Sequence, residues 1–294
     1  MTPNETHMAY RVSIKGMFIN LLLFIAKGTL GLLIHSTSLL SDAVHSLSDI
    51  ISTLVVLLGI KLSSQPTDKE HPYGHDKFEC IIAFLLGIML FVIGSTIAWE
   101  GIQKFWQPKS AEYAGTTLRI FAIAAAAVSI LAKEWMYRFT MTCSRLIRSA
   151  SMAADAWHHR TDAFSSVGSL VGVIGICVGF PLVDAAACII ISGFIYKAAY
   201  DICADACSKL VDSSGNPDII YRIEQVVKRN NEVLSIDIIK TRQFGSKLYV
   251  DLEITLDHNI TFEHSHQVAH YLHDNIESTI SDVKHCMIHV NPSA

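Results

Sequence analysis

Six long apolar runs, separated by short polar links, decide most of what this chain can become. They lie at about 14–34, 38–62, 80–103, 114–136, 152–178 and 182–206. Each is close to or longer than the roughly 20 residues an α-helix needs to cross a bilayer. In hydrocarbon every backbone N–H and C=O must find its partner within the segment, so runs of this length are expected as membrane-spanning helices. Composition agrees, with 51% hydrophobic and 17% charged residues and a mean hydropathy of +0.37. That is too apolar for an ordinary water-soluble domain.

The cations of the links set the orientation. Arg11 and Lys15 precede the first run, Lys61, Lys69 and Lys77 lie between the second and third, and Arg138, Arg145 and Arg148 lie between the fourth and fifth. The links at 35–37 and 179–181 carry none, and Lys104 and Lys109 follow the third run. Positive charge concentrates on the cytoplasmic side, so both termini are expected in the cytoplasm, with the protein in a plasma (inner) membrane. The segment Met1 to Lys15 is polar and shows no small-residue cleavage site, so the first span is expected to stay. Lys27 within the first run is expected to snorkel or to pair with an internal carboxylate. Lys133, Glu134, Trp135 and Tyr137 close the fourth run as residues of a membrane interface would.

The second and fifth runs are the polar ones. The second holds Asp42-Ala-Val-His45-Ser-Leu-Ser-Asp49, and the fifth holds Asp155-Ala-Trp-His158-His159-Arg-Thr-Asp162. Both spell D-A-x-H-x-x-x-D. On a helix His45 and Asp49 share a face, and so do His158 and Asp162. Each ionisable group costs about 2.5–3.5 kcal/mol at a membrane centre on insertion scales. A single buried His or Asp is ordinarily a helix–helix hydrogen bond, but the duplication of so costly a pattern points to an ion. Two imidazoles and two carboxylates suit a tetrahedral Zn²⁺-like cation, with Cd²⁺, Co²⁺, Fe²⁺ and Mn²⁺ also compatible. Ser41, Ser48, Thr161 and Ser165 are placed to orient these ligands. Asp42 and Asp155 fit either a water pathway or polar helix-end contacts.

After Ser213 the composition changes. Residues 217–230 read as an amphipathic helix, 234–241 and 247–256 as strands joined by a turn at Gly245-Ser246, 262–279 as a second helix and 284–290 as a last strand. The expected architecture is an all-α six-helix membrane domain over 1–212, followed by a small α+β domain, ordered αββαβ, over 213–294. Two further clusters fit metals. The link between the second and third runs holds Asp68, His71 and His75, with Pro72 and Gly74 giving it defined turns. In the C-terminal domain His266, His270 and His273 share a helix face that Glu253 and His289 can approach. The alternatives are a self-solvating charged loop and a polar helix face in water.

Several classes drop out. A net charge of −4 gives no sign of nucleic-acid binding. No Walker A sequence is present, so ATP is not expected as the energy source by that route. The seven cysteines include no C-x-x-C and read as reduced core residues. There is no H-E-x-x-H, and a metallohydrolase needs an open metal position for water, which four protein ligands do not leave. The chain is therefore not expected to be an enzyme.

Taken together, S-L-L-S-D-A-V-H-S-L-S-D, H-P-Y-G-H-D-K-F-E, W-H-H-R-T-D, K-T-R-Q and M-I-H-V-N-P make nearly the whole chain resemble the cation diffusion facilitator family of divalent-metal/proton antiporters. The resemblance implies a transport site at His45, Asp49, His158 and Asp162, and a loop site at Asp68, His71 and His75. His45, where other members carry a carboxylate, resembles the zinc-preferring members. In the cytoplasmic domain, which resembles a metallochaperone, His266 and His289 match family ligands. Asp237 and Glu253 stand where His is common, and Asn291 where Asp is common, so a weaker or single-ion site is implied there. Lys77 and Asp212 match a charge interlock between protomers, and the implied assembly is a homodimer through the cytoplasmic domain. The function implied is export of a divalent metal, Zn²⁺ foremost, against protons. The competing reading is a membrane-bound metal sensor or scaffold that binds ions without moving them.

Overall fold

The computed structural model describes residues 3–33, 37–106, 116–177 and 182–294. Some side chains inside the helices, among them those of Ser41 and Asp42, lie outside the described residues, as do the links at 35–36 and 179–181 and Lys109. The chain divides into two compact units, Met1–Ala206 and Cys207–Ala294.

Among its described residues, the first unit consists of helices joined by non-helical links, the longest at 64–76. Its helices are α1 (Pro3–Leu33), α2 (Thr37–Ser63), α3 (Lys77–Trp106), α4 (Thr116–Ile147), α5 (Ala150–Cys177) and α6, which begins at Leu182 and runs to Leu210. They have 27 to 32 residues. At 1.5 Å per residue each exceeds the roughly 30 Å of a hydrocarbon core. Among the described residues, four segments are both long and apolar enough to cross: Asn4–Thr29, His45–Ser63, Lys77–Trp106 and Ala185–Leu210. α4 and α5 are more polar. α5 carries Asp155, His158, His159, Arg160 and Asp162 within two turns, and α4 carries Lys133 and Glu134 in mid-helix.

α1 packs along α2 and α4, α4 along α5, and α3 against α2 and α5. Polar groups are turned inward: Asn20, Asp49, Thr53, Lys133, Asp155, His158, His159, Thr161 and Asp162 are all buried. An apolar cluster of Val12, Val56, Ile60, Leu86, Cys143, Ile147 and Met152 joins five of the helices. α3 and α6 approach closely over a seven-residue repeat of glycines, as small residues allow between membrane helices. A Cβ on Gly87 would lie 2.5 Å from Cys203 Sγ, and one on Gly101 2.9 Å from Cys188 Cβ. The Tyr196 hydroxyl donates to Ser95 Oγ at 3.0 Å across the same seam.

The second unit follows its sequence pattern closely. Asn216 caps α7 (Pro217–Lys228) by accepting the Asp218 N–H, with Pro217 in the first turn. β1 (Ser235–Phe244) and β2 (Lys247–Leu256) form an antiparallel hairpin. Its turn needs a left-handed residue, and Gly245 supplies one with φ 64°. Thr261 caps α8 (Phe262–Thr279), accepting the His264 N–H. β3 (Val283–Pro292) returns parallel to β2, giving the strand order β1-β2-β3. Even positions of β2, from Leu248 to Leu256, are buried. Val250, Leu252, Ile254 and Leu256 pack with Ile223, Val227, Val268, Leu272 and Ile276 of the two helices. The opposite face carries Tyr249, Asp251, Glu253 and Thr255.

Candidate metal centre

α2 and α5 bring the two D-A-x-H-x-x-x-D copies together, and each histidine meets the carboxylate of the other helix. His45 Nε2 lies 3.3 Å from Asp162 Oδ1, and His158 Nε2 lies 3.2 Å from Asp49 Oδ1. Within each helix the four-residue spacing leaves imidazole and carboxylate 4.0 Å apart in both copies. The i, i+4 geometry therefore puts both groups of each copy on one face, and the crossing of the helices brings His45, Asp49 and Asp162 into one group, with His158 reaching it through Asp49. Asp49, His158 and Asp162 are 1%, 3% and 5% exposed, whereas His45 is half exposed within the chain. The potential ligand atoms of His45, Asp49 and Asp162 all lie within 4.8 Å of one another.

A fifth side chain joins them. Lys133 of α4 donates to Asp162 Oδ2 at 2.9 Å and also to Asp49 Oδ2. The expectation that Lys133 sits at a membrane interface is thus corrected: α4 runs on to Ile147, and Lys133 is 3% exposed in its middle. The physical reason is legible in retrospect. Ser129, Lys133, Met136, Tyr137, Thr140 and Ser144 are all buried and recur at three- and four-residue steps, so Lys133 belongs to the inward stripe of α4. Ending the run at 136 hid that stripe.

A second polar layer lies beside the first. Thr53 donates to the backbone carbonyl of Asp49 at 3.1 Å and to Asp155 Oδ1 at 3.4 Å. Asp155 Oδ2 is 3.6 Å from His159 Nε2. Asp155 is thus part of a buried polar layer between α2 and α5, and His159, four residues on, shares its helix face. Thr161 is buried and Ser165 lies on the same helix. Arg160 stacks over Tyr137, its guanidinium carbon 4.3 Å from the ring centroid, which holds α4 against α5.

The link between α2 and α3 forms a compact loop. Asp68 accepts the backbone N–H groups of His71 at 2.6 Å and Glu70 at 2.9 Å. The His71 bond first, and the Glu70 bond after it, hold the Asp68 carboxyl below the usual carboxylate range. His71 Nδ1 and His75 Nε2 each lie 3.5 Å from an Asp68 oxygen. His75 is buried, and its Nδ1 lies 3.2 Å from the Pro66 carbonyl. A proton on Nδ1 leaves Nε2 as the free ligand atom. Gly74, with φ 97°, supplies the turn that brings His75 back. The three residues place their ligand atoms within 4.8 Å of one another.

The C-terminal unit arranges its histidines differently from the sequence expectation. Glu253 and His289 are register partners on neighbouring strands. With Asp237 and His266 they form no ligand group of the same tightness among the described residues. Asp237 is already occupied, accepting Ser235 Oγ at 2.8 Å, Thr255 Oγ1 at 2.7 Å and Asn291 Nδ2 at 3.0 Å. The group that does converge is His273, Glu277 and His285. His273 is among the helix-face histidines expected from the sequence, whereas Glu277, one turn further along α8, is not. Lys77 opens α3 and Asp212 follows α6 with a left-handed φ of 61°.

A bundle of membrane helices with buried acidic and imidazole groups on two of them, continued by an αββαβ domain, defines a cation-handling membrane protein. Residues 13–211 match the cation efflux transmembrane domain, and residues 216–293 match the cation efflux protein cytoplasmic domain. The chain belongs to this family, the cation diffusion facilitators. An uncharacterized transporter of Methanocaldococcus jannaschii is 32% identical over 92% of this chain and 94% of its own. The manganese efflux system protein MneP of Bacillus subtilis is 29% identical over 99% of both chains. The magnetosome protein MamB of a Magnetospira strain is 30% identical over 94% of this chain and 92% of its own. Among solved structures, the metal-bound C-terminal domain of the CzcD transporter from Thermotoga maritima matches 26% of this chain and 87% of its own at 21% identity, with a TM-score of 0.25.

Proposed function

We propose that this protein is a secondary transporter that carries a divalent transition-metal ion out of the cytoplasm in exchange for protons, by alternating access around His45, Asp49, His158 and Asp162. The observation that carries the reading is the crosswise pairing of His45 with Asp162 and of His158 with Asp49 in a buried crossing of α2 and α5. Two ionised carboxylates and two neutral imidazole nitrogens bind a divalent cation and are the same groups that protons occupy, so metal and protons compete. Substrate enters from the cytoplasmic side, and protons taken up on the far side favour its release. Rigid movement of packed helices exposes the site alternately.

Zn²⁺ is the foremost substrate on ligand chemistry, since His₂Asp₂ combines borderline nitrogen with hard oxygen donors in a set of four. Mn²⁺ is the second reading, favoured by the full-length similarity to a manganese efflux protein. Asp68, His71 and His75 hold a further ion in the loop. The C-terminal domain joins two copies into a homodimer, with Lys77 and Asp212 tying protomers together. Purified protein in proteoliposomes, given an imposed pH gradient, is expected to move Zn²⁺ or Mn²⁺ in a way that Asp49→Asn abolishes. Saturable metal binding without flux in either gradient direction would establish the sensor or scaffold reading instead.

A further inference from the structure

We infer that Lys133 is a tethered counter-cation of the transport site, an ammonium that takes the place of the metal ion whenever the site is not loaded. The inference rests on the transport reading above and concerns how the same site returns empty. All four carboxylate oxygens are engaged. The Oδ1 atoms of Asp49 and Asp162 face His158 and His45, and the two Oδ2 atoms converge on Lys133 Nζ. A divalent ion bridging Asp49 and Asp162 needs those Oδ2 atoms. Ammonium and metal therefore exclude one another, by space and by like charge.

The residue type fits the task. A lysine head is a compact point charge on a flexible four-carbon stem, able to withdraw along its own helix and return. An arginine fork would bind the carboxylates bidentately and hold them. Burial makes the task necessary, because two ionised carboxylates facing each other at 1% and 5% exposure are unfavourable without a cation between them. The lysine supplies that cation, so the empty carrier crosses back without both carboxylates having to be protonated. Its position on α4 adds a mechanical consequence. The ammonium links α4 to Asp49 on α2 and Asp162 on α5, and substrate binding releases that link.

The test separates loaded-site movement from empty-site return. In proteoliposomes, metal-for-metal exchange needs only the loaded site, whereas net efflux needs the empty site to return. For Lys133→Gln the ratio of net efflux to exchange is expected to fall at least tenfold. Equilibrium binding of Zn²⁺ and Mn²⁺ to the full-length protein is expected to tighten about tenfold as the internal competitor is lost. Lys133→Arg, which keeps a charge, is expected to bind metal no more tightly than the parent. Efflux and exchange falling together, or unchanged or weaker binding in Lys133→Gln, would overturn the inference. If Lys133→Gln does not fold, Lys133→Met carries the same two readouts. If the parent protein moves no metal at all, the transport reading fails, and the binding arm alone then decides the role of Lys133.

A separate observation in the C-terminal unit carries a second inference: the geometry points to a three-ligand divalent-metal site at His273, Glu277 and His285. His273 and Glu277 are four apart on α8, and His285 is the third residue of β3 beside them. His273 Nδ1 lies 2.6 Å from the Cys286 carbonyl, which fixes the proton there and leaves Nε2 facing Glu277 at 3.3 Å. His285 Nδ1 lies 3.1 Å from the same Glu277 oxygen, which also accepts the Cys286 N–H at 3.0 Å. The backbone thus holds one imidazole and the carboxylate in place, and the half-exposed third ligand leaves room for water or a further donor. Two imidazoles and a carboxylate suit Zn²⁺ or Co²⁺. Full-length protein carrying Asp49→Asn, Asp162→Asn and His71→Ala silences the other clusters. Titrated with Co²⁺, it is expected to bind one ion per chain, and that ion is lost in Glu277→Gln, which keeps an acceptor for the Cys286 N–H, and in His285→Ala. An unchanged Co²⁺ stoichiometry in both variants would reduce the cluster to a hydrogen-bonded group.

Discussion

In the proposed transport site, the choice between imidazole and carboxylate at position 45 sets how α2 addresses a cation. His45 offers a borderline nitrogen 3.3 Å from Asp162. An oxygen ligand there would favour harder ions. His45→Asp is expected to lower the ratio of Zn²⁺ to Mn²⁺ flux roughly tenfold, by the preference of imidazole for zinc and of carboxylate for manganese. A ratio that does not move in side-by-side proteoliposome assays would remove His45 from the ligand set. Asp237 shows the opposite use of a carboxylate, as a structural acceptor. Asn291, then Thr255 and Ser235, hold its carboxyl below the ordinary range. A group whose folded value is depressed contributes stability above its unfolded value, about 4, and loses that contribution as the pH falls through the lower folded value. Asp237→Asn is therefore expected to lower the thermal midpoint of the protein at pH 7, with the gap to the parent closing below about pH 4. A gap that persists at pH 2.5 would mean that the carboxylate charge is not what matters.

At the scale of elements, the seam between α3 and α6 depends on the absence of side chains. A Cβ on Gly101 would meet Cys188 Cβ at 2.9 Å and the Ala185 carbonyl at 3.2 Å, neither of which can yield easily. Gly101→Leu is expected to destabilise by about 1–3 kcal/mol through overpacking. Gly193, also on α6, has nothing within 4 Å of where a Cβ would stand. Gly193→Ala is expected to be neutral or to stabilise by up to about 1 kcal/mol, since alanine loses less backbone freedom in a helix. Thermal unfolding of both variants in detergent checks the pair, and equal effects would mean that α3 and α6 do not meet at this seam. The same closeness explains why Gly87, Gly94 and Gly101 recur with a period of seven, two helical turns, on one face of α3.

For the whole molecule, the C-terminal domain has its own core between a three-stranded sheet and two helices, while the open face of the sheet and the outer helix faces carry Tyr271, Met287 and Phe262 in exposed positions. The open face of the sheet, with Met287 exposed on it, is the one expected to join two copies in the proposed homodimer. Full-length protein is expected to run as a dimer in detergent by light scattering, and a chain ending at residue 212 to shift toward monomer. A truncated chain that stays fully dimeric would place the main contact in the helical unit.

The sequence by itself determined the elements and half of the site. Apolar run length gave the six helices, since lipid permits few other structures. The strand alternation, the amphipathic helix pattern and the turn at Gly245-Ser246 gave the order of the small domain, since these signals act within a few residues. The i, i+4 spacing gave each His–Asp couple, because a helix puts such pairs on one face whatever surrounds it. A fourth run that closes at 136 makes Lys133 an interface residue, because its neighbours Glu134 and Trp135 look like interface residues when read one by one. Only the tertiary structure decided that each imidazole pairs with the carboxylate of the other helix, that Lys133 stands between the two carboxylates, and that Asn291 closes on Asp237 while His285 closes on Glu277. These contacts join residues 8 to 117 positions apart, and their geometry follows from how helices cross and strands register, which local periodicity does not encode.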